Sequence, residues 1–183
     1  PRGVYLPMWT FDLGGEIDYS GEIVEYEQNL FTGERERKVT RVEDKYPVMV
    51  NDLALPASKK LSQVFMKLLP TFNLSTLREY DPRYLASWLA ELYDVPMADA
   101  SLDARSQAFK KLKKQLPHLL GNITLTRASS ASMLVESFKL VLLPVWMTEL
   151  PFDGREHIVL INGQSGEVAS DLSDKDEEHG GLF

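Results

Sequence analysis

Leu-Pro-apolar-Trp occurs twice in this chain, as Leu6-Pro7-Met8-Trp9 near the start and Leu143-Pro144-Val145-Trp146 near the end. A strand proline offers no amide to a sheet ladder, so it fits best near a strand start or on a sheet edge. Each copy is followed, after a turn and a strand, by a second landmark: Ser20-Gly21-Glu22-Ile23 in one case and Ser165-Gly166-Glu167-Val168 in the other. Two landmarks matched in the same order point to a duplicated β-hairpin unit whose copies pair in one sheet. The plainer alternative is that any β-sheet protein repeats apolar-Pro-apolar strands.

Between the copies the pattern alternates and then turns helical. Val4–Phe11 reads as a strand, Gly14-Gly15 as a turn, and Glu16–Gln28 as a half-exposed strand or two. Asn29–Glu36 reads as a loop around Gly33, Arg37–Glu43 as alternating, and Val48–Val50 as a short strand. Three helices are expected over about 58–118. Ser58 caps the first, which carries Leu61, Val64, Phe65 and Leu68 at helical spacing. Asp81-Pro82 starts the second, with Tyr84, Leu85, Trp88, Leu89 and Leu92 as its stripe and Pro96 as its end. The third runs from Asp99 to Leu116 and buries Leu102, Phe109, Leu112 and Leu116. Strands return after Gly121. Met133–Met147 holds the longest apolar run and suits a strand covered on both faces. Asn162-Gly163 is a tight-turn dipeptide after Ile158–Ile161.

The expected fold class is therefore α+β, a mainly antiparallel sheet built from two related hairpin units with a helical insert. One domain spans 1–172, and 173–183 forms an acidic tail. Apolar residues at 44% supply ample core, and no apolar stretch is long enough to suggest a membrane-spanning helix. A net charge of −7 argues against a broad nucleic-acid footprint. The absence of cysteine excludes disulfides and thiolate metal sites, and fits a reducing compartment. Pro1 stands almost directly before the first strand pattern and no signal peptide is visible, which reads as an excised fragment or as initiator removal before proline. Cytoplasmic is the expected location.

Catalytic signals fail on inspection. Gly163-Gln164-Ser165-Gly166 lacks one residue of a nucleophile elbow and lies in a strand–turn–strand context, so Ser165 reads as a turn serine. His118, His157 and His179 stand apart, and Asp176–His179 reads as a solvated acidic run. Glu22, Glu25 and Glu27 make a poor paired-acid site, because Glu25 and Glu27 share a wet strand face. No catalytic, cofactor-binding or metal-binding residue is assigned. Two features suit binding instead. Lys110, Lys111, Lys113 and Lys114 are anion-contacting candidates on or beside the outer face of the third helix. Trp9, Trp88 and Trp146 line a groove or, as their strand and stripe positions favour, belong to the core.

The blocks GVYLPMWTFD (3–12), YDPRYLASWLAELYDV (80–95), FKLVLLPVW (138–146) and VLINGQSGEV (159–168), with a weaker LALPAS (53–58), fall in an order that resembles the C-terminal region of bacterial TFIIB-type zinc-ribbon proteins. Members often carry the label primosomal protein N′ or helicase-like. The helicase label finds no support here, since there is no phosphate-binding G-x-x-x-x-G-K-[ST] loop. The resemblance implies zinc only in an upstream ribbon outside this chain and hydrophobic segments downstream in some members. It makes Pro7, Trp9, Pro144, Trp146, Asn162, Gly163 and Gly166 motif residues with a structural role. The expected function is a non-enzymatic protein-interaction module that binds another protein or a membrane-associated complex, in the cytoplasm or at the inner face of the membrane, with a sheet edge as docking surface. The alternative is a nucleic-acid-associated accessory domain, although nucleic acid is not expected to bind this domain alone.

Overall fold

A computed structural model describes residues 1–28, 34–60 and 62–172. The loop tip around Gly33, Leu61 and the acidic tail with His179 lie outside the described residues. Element order is β1 (Arg2–Gln28), β2 (Arg35–Pro47), β3 (Val50–Pro56), α1 (Ser62–Leu68), β4 (Leu89–Ala90), α2 (Met97–Leu119), β5 (Ile123–Ser129), β6 (Met133–Phe152), β7 (Arg155–Asn162) and β8 (Val168–Ser170), with short 3₁₀ turns at Leu69–Thr71, Leu74–Thr76 and Pro82–Ala86. The strands follow the order β2-β1-β6-β7-β8, and β3, β4 and β5 also pair with β1. The architecture is α+β with a mostly antiparallel sheet.

The chain divides into two compact units. Of the described residues, the first holds those of 1–10, 54–100 and 139–172, and the second those of 11–28, 34–53 and 101–138. In the first unit, β6 pairs antiparallel with β7 from Val145↔Asn162 to Phe152↔Arg155, and β7 pairs with β8. Val4 and Tyr5 of β1 pair parallel with Leu89 and Ala90. Leu6, Met8, Leu143, Val145, Met147 and Leu160 project from one side of these strands into a core closed by Val64, Phe65, Leu68, Leu69 and Phe72. Both Leu-Pro-x-Trp strands therefore feed one core. The α1 residues Val64, Phe65 and Leu68 are buried as their helical spacing predicts.

In the second unit, residues 16–28 of β1 run antiparallel to β2 on one side, and residues 18–23 run antiparallel to β5 on the other. The β1–β2 ribbon joins an acidic strand to a basic one. Glu27–Lys38 and Glu16–Lys45 meet at 3.0 Å, and Glu22–Arg41 at 3.9 Å. Hydrogen bonding to Glu27 raises the pKa of Lys38, and Glu16 does the same for Lys45. These groups are exposed, so salt screens them and they mark the ribbon as solvated.

Several expectations are corrected. Gly14-Gly15 does not reverse the chain, and β1 runs on through it as one strand where the first hairpin was expected. Gly15 takes a left-handed φ of +100, and the next amide, of Glu16, donates to the Ser132 carbonyl at 3.2 Å. The glycines permit an irregularity inside a ladder instead of a turn.

The second helix reduces to the 3₁₀ turn Pro82–Ala86. Asp81 caps it as expected, its side chain accepting from the Arg83 amide. Tertiary pairing then draws the following residues into extended form. Leu89 lies opposite Val4, and the Glu91 amide donates to the Tyr5 carbonyl at 3.0 Å.

The third helix forms, but its buried stripe is Ala100, Ala104, Ala108 and Leu116, while Leu102 is exposed. Ala100, Ala104 and Ala108 recur every four residues and so share one helix face, and that face, not the one carrying Leu102, is the buried one.

Candidate interaction surface

The longest apolar run settles where a site can be. In β6 the odd positions Val141, Leu143, Val145 and Met147 are buried, whereas Leu140, Trp146, Leu150 and Phe152 are exposed and Leu142 and Pro144 half-buried. This strand is covered on one face, not two. Side chains alternate along a strand, so Leu140, Leu142, Pro144, Trp146, Thr148 and Leu150 share the open face.

Register extends that face across its neighbours. Trp146 lies opposite Ile161, which lies opposite Val168, and Val168 is 63% exposed. The next row is Thr148–Val159–Ser170, and the one after it is Leu150–His157. Residues directly opposite in a ladder point to the same side, so these rows make an apolar patch with sparse polar groups. His157 Nδ1 lies 3.2 Å from Asp171 Oδ1, and the His157 ring meets Phe152 edge-on.

Aromatic packing borders the patch. The Trp88 ring sits edge-on to Trp146 at 4.8 Å and tilted against Tyr5 at 5.5 Å. Gly3 makes room for it, because a Cβ there would come within 2.5 Å of the indole. Trp146 keeps 40% of its surface exposed. The expectation of a core position thus holds for Trp9, which is buried, and not for Trp146. Trp9 donates from Nε1 to the Val95 carbonyl at 2.9 Å and packs edge-on to Tyr93.

The remaining motif residues build the frame. The Pro7 carbonyl accepts from Ala57, and the Pro144 carbonyl accepts from Gly163. Gly163 must lack a side chain, since a Cβ would lie 2.7 Å from the Pro144 oxygen. Asn162 is fully buried and ties the β7–β8 turn to the 3₁₀ turn after α1. Its Nδ2 donates to Thr71 Oγ1 at 2.7 Å, and its Oδ1 accepts from the Gln164 and Ser165 amides at 2.6 and 3.2 Å. Gly166 (φ +80) closes that turn. Ser165 is an exposed turn residue whose Oγ accepts from the Glu167 amide.

Lys110, Lys111, Lys113 and Lys114 are all exposed on α2, in the second unit. Sequence alone did not mark the open-face residues Tyr5, Leu150, Ile161 and Val168 as a surface. Their signal was parity along β6 and β7, and apolar residues at both parities hid it. Among the described residues no group of His, Asp and Glu could hold a metal ion, and no helix is long and apolar enough to cross a membrane.

No protein-family model matches this chain, and no solved structure matches it significantly. It is 26% identical over 174 residues to the uncharacterized protein YdjG of Bacillus subtilis (strain 168), an alignment taking in 91% of this chain and 50% of that protein. The chain therefore spans about half the length of the relative it matches.

Proposed function

We propose that this chain is a non-enzymatic protein-interaction module, and that its docking surface is the open face of β6, β7 and β8 in the first unit. One observation carries the reading. The inner face of this sheet is packed by α1, while the outer face keeps Trp146 and Val168 exposed in one row and Leu150 exposed two rows along, with Thr148, Val159 and Ser170 between them. Exposed apolar residues gathered in one patch mark binding surfaces, whereas scattered ones need no explanation. The sheet edge suits docking less well, since β8 is three residues long and its Ser170 carbonyl already accepts from Lys67 Nζ at 3.0 Å.

The resemblance to zinc-ribbon proteins supports reading the module as part of a longer bacterial protein, with zinc held by a ribbon elsewhere and a partner in the cytoplasm or at the inner membrane face. Leu150→Glu and Val168→Glu, both at exposed positions, test the docking face. Each should retain the wild-type unfolding midpoint and lose co-purifying protein from native cells, whereas Leu102→Glu on α2 should not. Unchanged co-purification in both face variants refutes the reading.

The second reading, a nucleic-acid-associated accessory domain, rests on the exposed lysines of α2. Phosphate binding by Lys110, Lys111, Lys113 and Lys114 would release counterions and fall steeply with salt. The surrounding charge is negative overall. Fluorescence anisotropy with single- and double-stranded probes near 0.15 M salt should show negligible binding. Micromolar binding abolished by reversing these lysine charges would promote this reading over the first.

A further inference from the structure

We infer that Asn162-Gly163 is a spontaneous modification site, at which the asparagine converts to aspartate or isoaspartate once the Gly163–Pro144 contact opens, with irreversible loss of stability in the first unit. An asparagine before glycine is the step at which the following backbone nitrogen most readily attacks the side-chain amide, because glycine has no Cβ to obstruct the approach. Asn162-Gly163 is the only such step in the sequence. The fold requires both of its members. Asn162 is 1% exposed and its carboxamide makes three hydrogen bonds, while a Cβ on Gly163 would lie 2.7 Å from the Pro144 oxygen. Neither residue can be exchanged for a stable one without disturbing the turn that follows β7.

The reaction balances within the chain plus one water. The Gly163 nitrogen gives up its proton and bonds to Asn162 Cγ; the Cγ–Nδ2 bond breaks, and the proton leaves with Nδ2 as ammonia. Water then opens the cyclic imide at either carbonyl, giving aspartate or, where the main chain continues through the side-chain carbon, isoaspartate. The folded geometry both primes and withholds the attack. The Gln164 and Ser165 amides donate to Oδ1 at 2.6 and 3.2 Å, where they would stabilise the developing oxyanion. The Gly163 N–H is meanwhile committed to the Pro144 carbonyl at 2.9 Å, and Nδ2 is anchored to Thr71 Oγ1 at 2.7 Å. The peptide plane must turn to aim the nitrogen at Cγ, and turning it breaks the Pro144 bond. That bond lies just beyond the last ladder pair, Val145↔Asn162, where a strand end opens more readily than the middle of a sheet.

Conversion does not reverse. Aspartate at 162 has no N–H for Thr71 Oγ1, whose own proton already serves the Leu68 carbonyl at 2.7 Å. Isoaspartate inserts a further main-chain carbon between β7 and its turn. The bonds from the Asn162 amide to the Glu167 carbonyl (2.7 Å) and from the Gly166 amide to the Asn162 carbonyl (2.9 Å) then cannot both keep their geometry. Local opening followed by covalent change turns a fluctuation into permanent loss.

The test incubates the full folded chain beside a synthetic peptide of residues 159–168 in one mildly alkaline buffer. Chromatography with mass spectrometry resolves the asparagine, aspartate and isoaspartate forms of position 162. The peptide should convert readily and the folded chain at least about tenfold more slowly, since the contact is open for only a fraction of the time. Urea well below the unfolding midpoint should speed the folded chain several-fold, as should Thr71→Val, which frees Nδ2. Converted chains, and Asn162→Asp as their stand-in, should unfold at a lower midpoint than unconverted ones. Equal rates in chain and peptide would show that the fold gates nothing, and a stable peptide would remove the site. Conversion only through the global unfolding transition would overturn the Pro144 contact as the gate. An unchanged midpoint after conversion would refute the loss of stability.

Discussion

Replacing Asn162 by alanine should unfold the first unit more readily than its position in a tight turn suggests. The side chain is 1% exposed and makes three hydrogen bonds. A typical bond contributes a net 0.5–1.5 kcal/mol, so the three together contribute roughly 1.5–4.5 kcal/mol. Two of the donors belong to Gln164 and Ser165, which are exposed and can recover water. Those two bonds therefore count near the lower figure. The third is different, because Thr71 Oγ1 is only partly buried but already donates to the Leu68 carbonyl, and it would lose its incoming donor. The expected loss is about 2–3 kcal/mol. Urea unfolding followed by tryptophan emission measures it directly. A double-mutant cycle with Thr71→Val should return a coupling of about 0.5–1.5 kcal/mol. A total loss below about 1 kcal/mol, or no coupling, would show that the carboxamide does not tie the turn to the helix.

Three further outcomes are expected. Trp9→Ala should cost about 3–5 kcal/mol as a buried aromatic truncation, and Trp146→Ala less than about 2 kcal/mol because much of its ring is already in water; equal losses by chemical denaturation would contradict the assigned burial. Gly3→Val should displace Trp88 from Tyr5 and Trp146, costing about 1–3 kcal/mol and red-shifting tryptophan emission; an unchanged spectrum would contradict the packing. The Arg83 guanidinium, then the Arg83 amide, hold the Asp81 carboxyl below its usual 3.8. A depressed folded-state value means that the stabilisation is present above about pH 3.8 and is lost as pH falls through the lowered value. Carboxyl NMR should find Asp81 titrating below 3.8 in the native chain and moving upward in Arg83→Gln; a midpoint at or above 3.8 would remove the pairing.

Local chemistry alone determined much of this protein. Alternation marked the strands, Asp81-Pro82 marked a true cap, and Asn162-Gly163 marked a true turn, because each depends on a residue and its immediate neighbours. The two Leu-Pro-x-Trp segments were legible as partners in one core, since their leucines demand burial wherever they fold. Three outcomes were set only by tertiary structure. Residues after Ala86 became extended because β1 offered Leu89 and Glu91 ladder partners stronger than one more helical turn. The third helix buried its alanine face and left Leu102 exposed, because which face of a helix is covered depends on how the rest of the chain packs against it. The open face of β6 was hidden most completely. Its residues are apolar at both parities, and burial is decided by whether another element lies above a face; α1 covers one side of this sheet, and Trp146 and Leu150 on the other remain exposed.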